Sequence, residues 1–248
     1  MFPVILQIGG FKVYAYGMML ALAFGVGTLG FIRAGQQQGL SAEKLLNLTL
    51  LIIVAAMLGS RLLYVILALP AYLAQPGSIF NLRSGGLSFH GGLAAGAAVG
   101  LWYAHRQDLP QGRLADTAAP YVALGYGIAR LGCLLNGCCY GRTTALPWAL
   151  PAAHADDLLR HPTQLYAAAA GFLLFFVLRR RQEKTRFAGQ LFLEFLLLYG
   201  VYRFLIEFFR AANLFVGFLT LGQAASLVGA AAAFTAIRVW PLGRGDGV

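Results

Sequence analysis

Residues 130–141, with the sequence RLGCLLNGCCYG, place an arginine, an asparagine, three cysteines and three glycines at the end of an apolar run that begins near Leu114. An arginine inside such a run is unfavourable in a membrane, where insertion at a helix centre costs about 2.5–3.5 kcal/mol. A buried guanidinium therefore requires an anion or backbone carbonyls as partners. The pattern predicts a functional site around Arg130.

A second set of polar residues recurs with helical spacing further along the chain. Tyr199, Arg203 and Glu207 are each four residues apart, and Arg210 follows three residues later, so one helix face carries all four. A guanidinium binds phosphate through two parallel hydrogen bonds, which makes Arg203 a candidate phosphate ligand oriented by Glu207. The alternative is an ion pair that only neutralises two buried charges.

His90 is a candidate general base. It lies in the sequence SFHGG at residues 88–92, and an imidazole titrates near neutral pH. We interpret Gly91 and Gly92 as space for a bulky partner to approach the backbone. The alternative is a histidine that only anchors a helix end at the membrane interface.

The three cysteines, Cys133, Cys138 and Cys139, raise the question of a metal. Zinc sites usually offer four nitrogen or sulfur ligands, often as C-x2-C pairs, and this set lacks a second pair. The spacing therefore predicts no metal site and no cofactor, and we interpret the cysteines as small packing residues.

The composition indicates a membrane protein rather than a soluble domain. Only 11% of the 248 residues are charged and 59% are hydrophobic, whereas soluble domains carry about 25% charged residues. Several apolar runs reach the roughly 20 residues needed to cross hydrocarbon. These runs predict an all-α polytopic membrane protein with seven transmembrane helices, at residues 13–32, 45–69, 87–103, 114–135, 163–178, 187–209 and 216–240. Residues 137–162 are predicted to form a small periplasmic head segment.

The basic residues predict an orientation. The net charge of +10 does not indicate nucleic-acid binding, because the basic residues lie in short loops and not on one face with aromatic platforms. Cytoplasmic loops are enriched in lysine and arginine. Eleven basic residues fall on the side predicted to be cytoplasmic: Arg33, Lys44, Arg106, Arg113, Arg179, Arg180, Arg181, Lys184, Arg186, Arg238 and Arg244. Five fall on the other side: Lys12, Arg83, Arg142, Arg160 and Arg210. The N-terminus is thus predicted outside and the C-terminus in the cytoplasm.

Several motifs occur in an order that is typical of one family. They are SFHGGL at 88–93, RLGCLLNGCCYG at 130–141, HPTQLY at 161–166, YGVYRFLIEFFR at 199–210, GFLTLGQ at 217–223, and Tyr16-Gly17 near the first helix. Together they resemble the motifs of bacterial prolipoprotein diacylglyceryl transferases over nearly the whole chain. The chain departs from the family signature at four positions. Cys133 and Cys138 stand where asparagine and glutamate are common, Ala129 replaces the glycine before Arg130, and Ala167 replaces an acid.

The resemblance implies a reaction at the outer half of the bacterial inner membrane. The diacylglyceryl group of phosphatidylglycerol would pass to the lipobox cysteine of a prolipoprotein signal peptide, forming a thioether and releasing glycerol phosphate. It implies catalytic roles for His90, Arg130 and Arg203. It implies substrate-binding roles for Tyr16, Asn136, Gly141, Tyr199 and Glu207.

Other functions stay open on the sequence alone. Arginines also line anion pores, so an anion channel or a lipid transporter is the main alternative, and the four departures leave room for a paralogue with another acceptor. An intramembrane protease is disfavoured, because the apolar runs lack paired aspartates, an H-E-x-x-H motif or a Ser-His arrangement. Arg61 also lies within an apolar run, and a catalytic and a structural role are both open for it.

Overall fold

The described part of the chain folds mainly into α-helices, accompanied by short antiparallel hairpins. The computed structural model describes residues 3–8, 11–81, 85–152, 156–211, 215–216 and 218–240. The α-helices are α1 (Ala15–Gln37), α2 (Ala42–Leu67), α3 (Leu69–Ala74), α4 (Phe89–Arg106), α5 (Gln111–Asn136), α6 (Thr163–Arg181), α7 (Gln190–Ile206) and α8 (Leu221–Val239). The hairpins pair β1 (Val4–Ile8) with β2 (Phe11–Tyr14), β3 (Leu150–Ala152) with β4 (Asp156–Arg160), and β5 (Phe215–Val216) with β6 (Leu219–Thr220). Short 3-10 helices cover Pro76–Phe80, Gln182–Lys184 and Glu207–Phe209.

The chain divides into two compact units. The first contains Met1–Phe31 and Gly112–Val248, and the second contains Ile32–Gln111. The first unit therefore holds most of α1 and α5, all of α6 to α8 and the three hairpins, while α2 to α4 lie in the second.

Four of the described helices, α1, α2, α5 and α8, are both long and apolar enough to cross a membrane. On α2 the side chains of Leu58, Leu62 and Leu67 are 67%, 62% and 73% exposed. A continuous exposed apolar surface of this kind is stable against lipid and not against water. The chain is thus a multi-pass membrane protein. Ser41 caps α2 by accepting a hydrogen bond from the Lys44 backbone at 3.5 Å.

In the second unit, α2 and α4 touch through glycines. A Cβ added at Gly91 would lie 2.3 Å from the Gly59 carbonyl oxygen, and one added at Gly59 would lie 2.3 Å from the Ala95 Cβ. A Cβ at Gly92 would lie 3.1 Å from the Ala56 carbonyl oxygen. Small residues let membrane helices approach this closely. The interpretation of Gly91 and Gly92 as space for a bulky partner was therefore wrong, because the backbone of α2 fills it.

Arg61 is buried on α2 and binds the segment that follows α3. Its guanidinium donates to five backbone carbonyls at 2.7–3.2 Å, those of Ser78, Ile79, Asn81, Gly85 and Gly86. Its Cζ also lies 5.2 Å from the centroid of the Tyr72 ring. A guanidinium has five N–H groups, so these carbonyls occupy the whole donor set. Arg61 is a structural residue.

We expect Arg61→Lys to destabilise the folded protein by about 1–3 kcal/mol, because an ammonium cannot reach carbonyls on all sides and leaves some of these partly buried acceptors unpaired. Thermal unfolding in detergent would measure the change. The matched control is Arg238→Lys at an exposed position near the end of α8, which should leave the unfolding midpoint unchanged. Equal midpoints for the two variants would contradict the structural role.

In the first unit, α5, α6 and α7 share an apolar core. Its buried members are Ala119, Ala123, Leu174, Leu178, Leu191 and Phe195. Gly171 allows α6 to approach α5 closely, since a Cβ there would lie 2.7 Å from the Gly127 nitrogen. Asp116 on α5 accepts hydrogen bonds from the backbone of Gly189 at 2.7 Å and of Phe192 at 3.0 Å. These bonds cap the start of α7 and hold the helix that carries Arg203.

The last helix begins later than the sequence predicts. The predicted helix at 216–240 starts inside the β5–β6 hairpin, whereas α8 begins at Leu221. Thr220 accepts from the Gln223 backbone at 3.1 Å, and the Gln223 side chain accepts from the Thr220 backbone at 3.0 Å. This reciprocal capping box sets the helix start, and the apolar pattern alone cannot reveal it. Gly217 lies outside the described residues.

Other element ends also differ from the prediction. Val13 pairs with Leu6 in the first hairpin instead of beginning a helix. The helix predicted from residue 187 begins at Gln190, after Gly189 with φ of +98°. The segment 137–162 contains β3 and β4, and its residues 153–155 lie outside the described range. Arg83 and Arg244, which contributed to the predicted orientation, also lie outside it.

Candidate functional site

Arg130 lies near the end of α5, on the same face as Tyr126 one turn earlier. Its Cζ is 4.8 Å from the centroid of the Tyr126 ring, a cation–π contact. In the described part of the chain, no carboxylate lies within ion-pair distance of this guanidinium. Within those residues its charge is therefore not neutralised by a carboxylate.

Arg203 lies on the last turns of α7 and is joined to Glu207. Arg203 Nη1 donates to Glu207 Oε2, and Arg210 Nε lies 3.6 Å from the same oxygen. Glu207 is buried, while the Arg203 side chain is 25% exposed. Gly222 on α8 packs against this pair, because a Cβ there would lie 2.9 Å from Arg203 Nη2. One carboxylate thus orients two guanidiniums and leaves the group positively charged.

Three tyrosines connect the two arginines. The hydroxyls of Tyr126 and Tyr202 are 3.0 Å apart and share a hydrogen bond, and the Tyr126 ring lies edge-on to that of Tyr199 with centroids 5.4 Å apart. Tyr199 and Tyr202 both interact electrostatically with Arg130 and with Arg203. The tyrosine cluster therefore brings the end of α5 and the end of α7 to one place.

Gly141 forms the junction between the turn after α5 and the end of α7. Its backbone nitrogen donates to the His161 carbonyl at 2.9 Å, and it forms an antiparallel bridge with Arg210. A Cβ added at Gly141 would lie 2.4 Å from the Phe209 carbonyl oxygen and 2.7 Å from the His161 Cβ. Only glycine fits between these two backbones.

We expect Gly141→Ala to lower stability by about 1–3 kcal/mol, because the methyl group overpacks a contact with rigid backbone. A fall in the thermal unfolding midpoint would show it. Gly25→Ala in α1 is the matched control, since a Cβ there meets no atom within 4 Å, and alanine is a better helix former than glycine. An unchanged unfolding midpoint for Gly141→Ala would mean that the junction is less tightly packed than these distances indicate.

Tyr16 and Asn136 both lie beside the cysteine-containing turn. Tyr16, in the first turn of α1, interacts electrostatically with Arg130 and the three cysteines, and it packs against Gly132, where a Cβ would lie 3.5 Å from its ring. The Asn136 side chain hydrogen-bonds the Cys138 thiol. In the described residues no hydrogen bond joins Asn136 to an arginine.

Hydrogen bonds and charges around the cysteine turn change the pKa of its exposed thiol, Cys139. Hydrogen bonds with the Cys133 and Cys138 thiols lower the pKa of Cys139, and the charges of Arg130 and Arg210 act in the same direction, while burial opposes them. These neighbours thus stabilise a negative charge on the Cys139 sulfur.

His90 is the second residue of α4 and is exposed. The Ser88 backbone nitrogen, which precedes it, donates to the Ser60 carbonyl at 2.9 Å, and this bond joins the start of α4 to α2. His90 belongs to the second unit, whereas the other seven predicted site residues belong to the first.

The sequence patterns gave no site role to Tyr126, Tyr202 or Gln164, although Tyr202 and Gln164 lie within the motifs at 199–210 and 161–166. The i, i+4 spacing of Tyr126 and Arg130 was a signal that could have found Tyr126. Gln164 donates to the Cys138 carbonyl at 2.7 Å, and its Oε1 is buried without a partner among the described residues. No local pattern marks a partner 26 positions away in the chain.

The arrangement in the first unit suits an anion with an apolar tail. Two guanidiniums that flank aromatic hydroxyls can supply several charge-assisted hydrogen bonds to a phosphate, and the helices that carry them expose apolar surface. Phosphate on a lipid combines both features.

Comparison with known proteins places this chain in a family. Residues 3–239 match the family model described as prolipoprotein diacylglyceryl transferase. The chain is 40% identical over 226 residues to the phosphatidylglycerol–prolipoprotein diacylglyceryl transferase of Bordetella parapertussis, which covers 89% of this chain and 86% of the relative. It is 38% identical to the protein of that name from Vibrio vulnificus, over 89% of this chain and 84% of the relative. The Geobacter sulfurreducens relative is 35% identical, over 88% and 85%.

Proposed function

Because the chain belongs to the prolipoprotein diacylglyceryl transferase family, we propose that Arg130 and Arg203 bind the phosphate of phosphatidylglycerol during the transfer reaction. The chain is a membrane transferase that moves a diacylglyceryl group from phosphatidylglycerol to a prolipoprotein. The observation that carries the site assignment is the tyrosine cluster, with which both arginines interact.

The chemistry explains why such a site is needed. A thiol attacks the lipid carbon that carries the phosphate ester, the new C–S bond forms, and the C–O bond breaks. The electron pair of that bond stays on the oxygen of the departing glycerol phosphate, and the thiol proton passes to a base. Donors held in place around a developing charge are the strongest catalytic devices in such reactions. Arg130 and Arg203 supply them, Glu207 and Tyr199 orient them, and Tyr16 contacts the lipid.

His90 accepts the proton of the acceptor thiol in this proposal. A thiol is a weak nucleophile until it is deprotonated, and an imidazole is suited to that task at neutral pH. The acceptor is the lipobox cysteine of the signal peptide, which enters beside the head segment 137–162. Asn136 and Gly141 shape the turn at which the substrates meet, Asn136 through the Cys138 thiol and Gly141 through its fit between backbones.

The proposed topology has seven spans in the inner membrane. It adds α4, α6 and α7, which are 18, 19 and 17 residues long, to the four described helices that are both long and apolar enough to cross a membrane. The last turn of α6 carries Arg179, Arg180 and Arg181, as expected of a cytoplasmic end. A phosphatase reporter fused after Thr144 should be active outside, and one fused after Glu183 should be inactive. The reverse pattern would invert the orientation.

Mass spectrometry provides the direct test of the reaction. Purified protein is incubated with phosphatidylglycerol and a lipobox peptide, and we expect a thiol-linked diacylglyceryl adduct and free glycerol phosphate. The control peptide carries serine in place of the lipobox cysteine. Adduct formation with other thiol peptides only would favour a paralogue with a different acceptor. Anion flux through proteoliposomes without any adduct would favour the channel or transporter.

A further inference from the structure

The three cysteine sulfurs converge although the residues are spaced as C-x4-C-C. All three Sγ atoms lie within 4.8 Å of one another. The end of α5 explains how. Cys138 N donates to Cys133 O at 3.1 Å and Gly137 N donates to Leu134 O at 3.1 Å, while Gly137 has φ of +73°. This is a Schellman motif, which brings together the side chains at the positions of Cys133 and Cys138.

The position of the third thiol, that of Cys139, depends on an unfavourable backbone conformation. Cys139 has φ of +62°, a left-handed conformation that non-glycine residues rarely adopt. Two buried side chains at the start of α6 hold it, because Thr163 donates to the Cys139 carbonyl at 2.7 Å and Gln164 donates to the Cys138 carbonyl at 2.7 Å. Strain that surrounding contacts maintain is typical of functional positions. These contacts therefore hold the three thiols of the turn close together.

We propose that Cys133, Cys138 and Cys139 form a tris-thiolate site for one thiophilic d10 metal ion of the class of Zn²⁺. Zinc–sulfur bonds of about 2.3 Å in tetrahedral geometry require sulfurs about 3.8 Å apart. The separations of up to 4.8 Å in the structure differ from this by about 1 Å, which side-chain rotation supplies. The fourth position is left for water or another small ligand.

The charges around the turn favour this complex. On binding, the three thiols release three protons to solvent, three metal–sulfur bonds form, and no electron is transferred. A divalent ion with three thiolates has a net charge of −1, and Arg130 and Arg210 both interact electrostatically with Cys139. Cys139 is exposed, which gives the ion a route of entry. The inference does not depend on the transfer reaction.

A cadmium titration tests the site. The purified full chain, reduced and then freed of reductant, should develop an ultraviolet thiolate-to-cadmium band that saturates at one ion per chain with submicromolar Kd. Zn²⁺ should remove the band by competition. No band, or saturation at a different ratio, would overturn the inference.

Variants identify the ligands. The chain contains only these three cysteines, so a variant with serine at all three positions gives the background of the titration. Cys139→Gly removes one thiol and suits the left-handed φ, so this variant should fold. Its cadmium affinity, and that of Cys133→Ser, should fall at least ~100-fold. If Cys139→Gly bound cadmium as tightly as the unaltered chain does, the three-sulfur site would be contradicted.

A second measurement needs no variant. Alkylation of the folded protein, followed by peptide mass spectrometry, should slow at all three cysteines when Zn²⁺ is added. Unchanged alkylation of exposed Cys139 at saturating Zn²⁺ would rule out its role as a ligand.

Discussion

Replacement of Arg203 by lysine is expected to lower transferase turnover by about 10²–10³-fold, in a protein that remains folded. Arg203 donates to Glu207 through Nη1. Its remaining donors have no hydrogen-bond partner among the residues that the structure describes, and in the proposed site they bind the phosphate. Lysine keeps the positive charge but has neither the planar fork nor its bidentate geometry. Losing one fixed donor to a developing oxyanion costs about 2.7–4 kcal/mol of transition-state stabilisation, which corresponds to this loss of rate.

The assay is adduct formation by the purified variant at saturating phosphatidylglycerol. Arg238→Lys is the matched control, because it makes the same exchange at an exposed position of α8 and should keep full turnover. Circular dichroism and the unfolding midpoint establish that Arg203→Lys is folded. Turnover within threefold of the control would refute a phosphate-binding role and favour a buried ion pair that only neutralises charge.

His90→Ala is expected to lower thiol transfer by about 10²–10⁴-fold, the range of a general base, while phosphatidylglycerol still binds. The base acts on the acceptor thiol and not on the lipid phosphate, so the two measurements should separate. Because the His90 side chain is exposed, the variant should also fold.

His105→Ala serves as the matched control, since His105 lies in the last turn of the same helix and should be dispensable for transfer. Lipid binding is followed by co-purification of labelled phosphatidylglycerol. If His90→Ala loses lipid binding together with transfer, the residue positions the lipid and is not the base. If both are kept, His90 only anchors the start of α4.

The cysteine turn bears on how the family signature is interpreted. Cys133 and Cys138 occupy positions where asparagine and glutamate are common in the family, yet the turn remains in hydrogen-bonded contact with α6. Its shape comes from backbone hydrogen bonds and from a left-handed glycine at 137, neither of which involves the cysteine thiols. A metal site is therefore compatible with the fold of the turn, even though the spacing predicts none.

The sequence by itself determined the class of protein and the order of its long helices. Few charges and long apolar runs require a membrane, and helical periodicity placed Tyr199 and Arg203 on one face of α7, with Glu207 one turn further on in the 3-10 helix that follows. These features are local, because they depend on composition and on neighbours three or four positions apart. The family motifs are also local, and they were sufficient to indicate the reaction.

Only the tertiary structure decided which long-range partners each residue meets. It assigned Arg61 to backbone carbonyls of a following segment, Gly91 to the backbone of α2, and Tyr202 to Tyr126, 76 positions away. It also brought three thiols together at the end of α5. The physical reason is that these contacts join segments that are distant in sequence or depend on left-handed turns. Neither hydropathy nor local spacing records whether a donor is paired, how closely two helices approach or which thiols lie together.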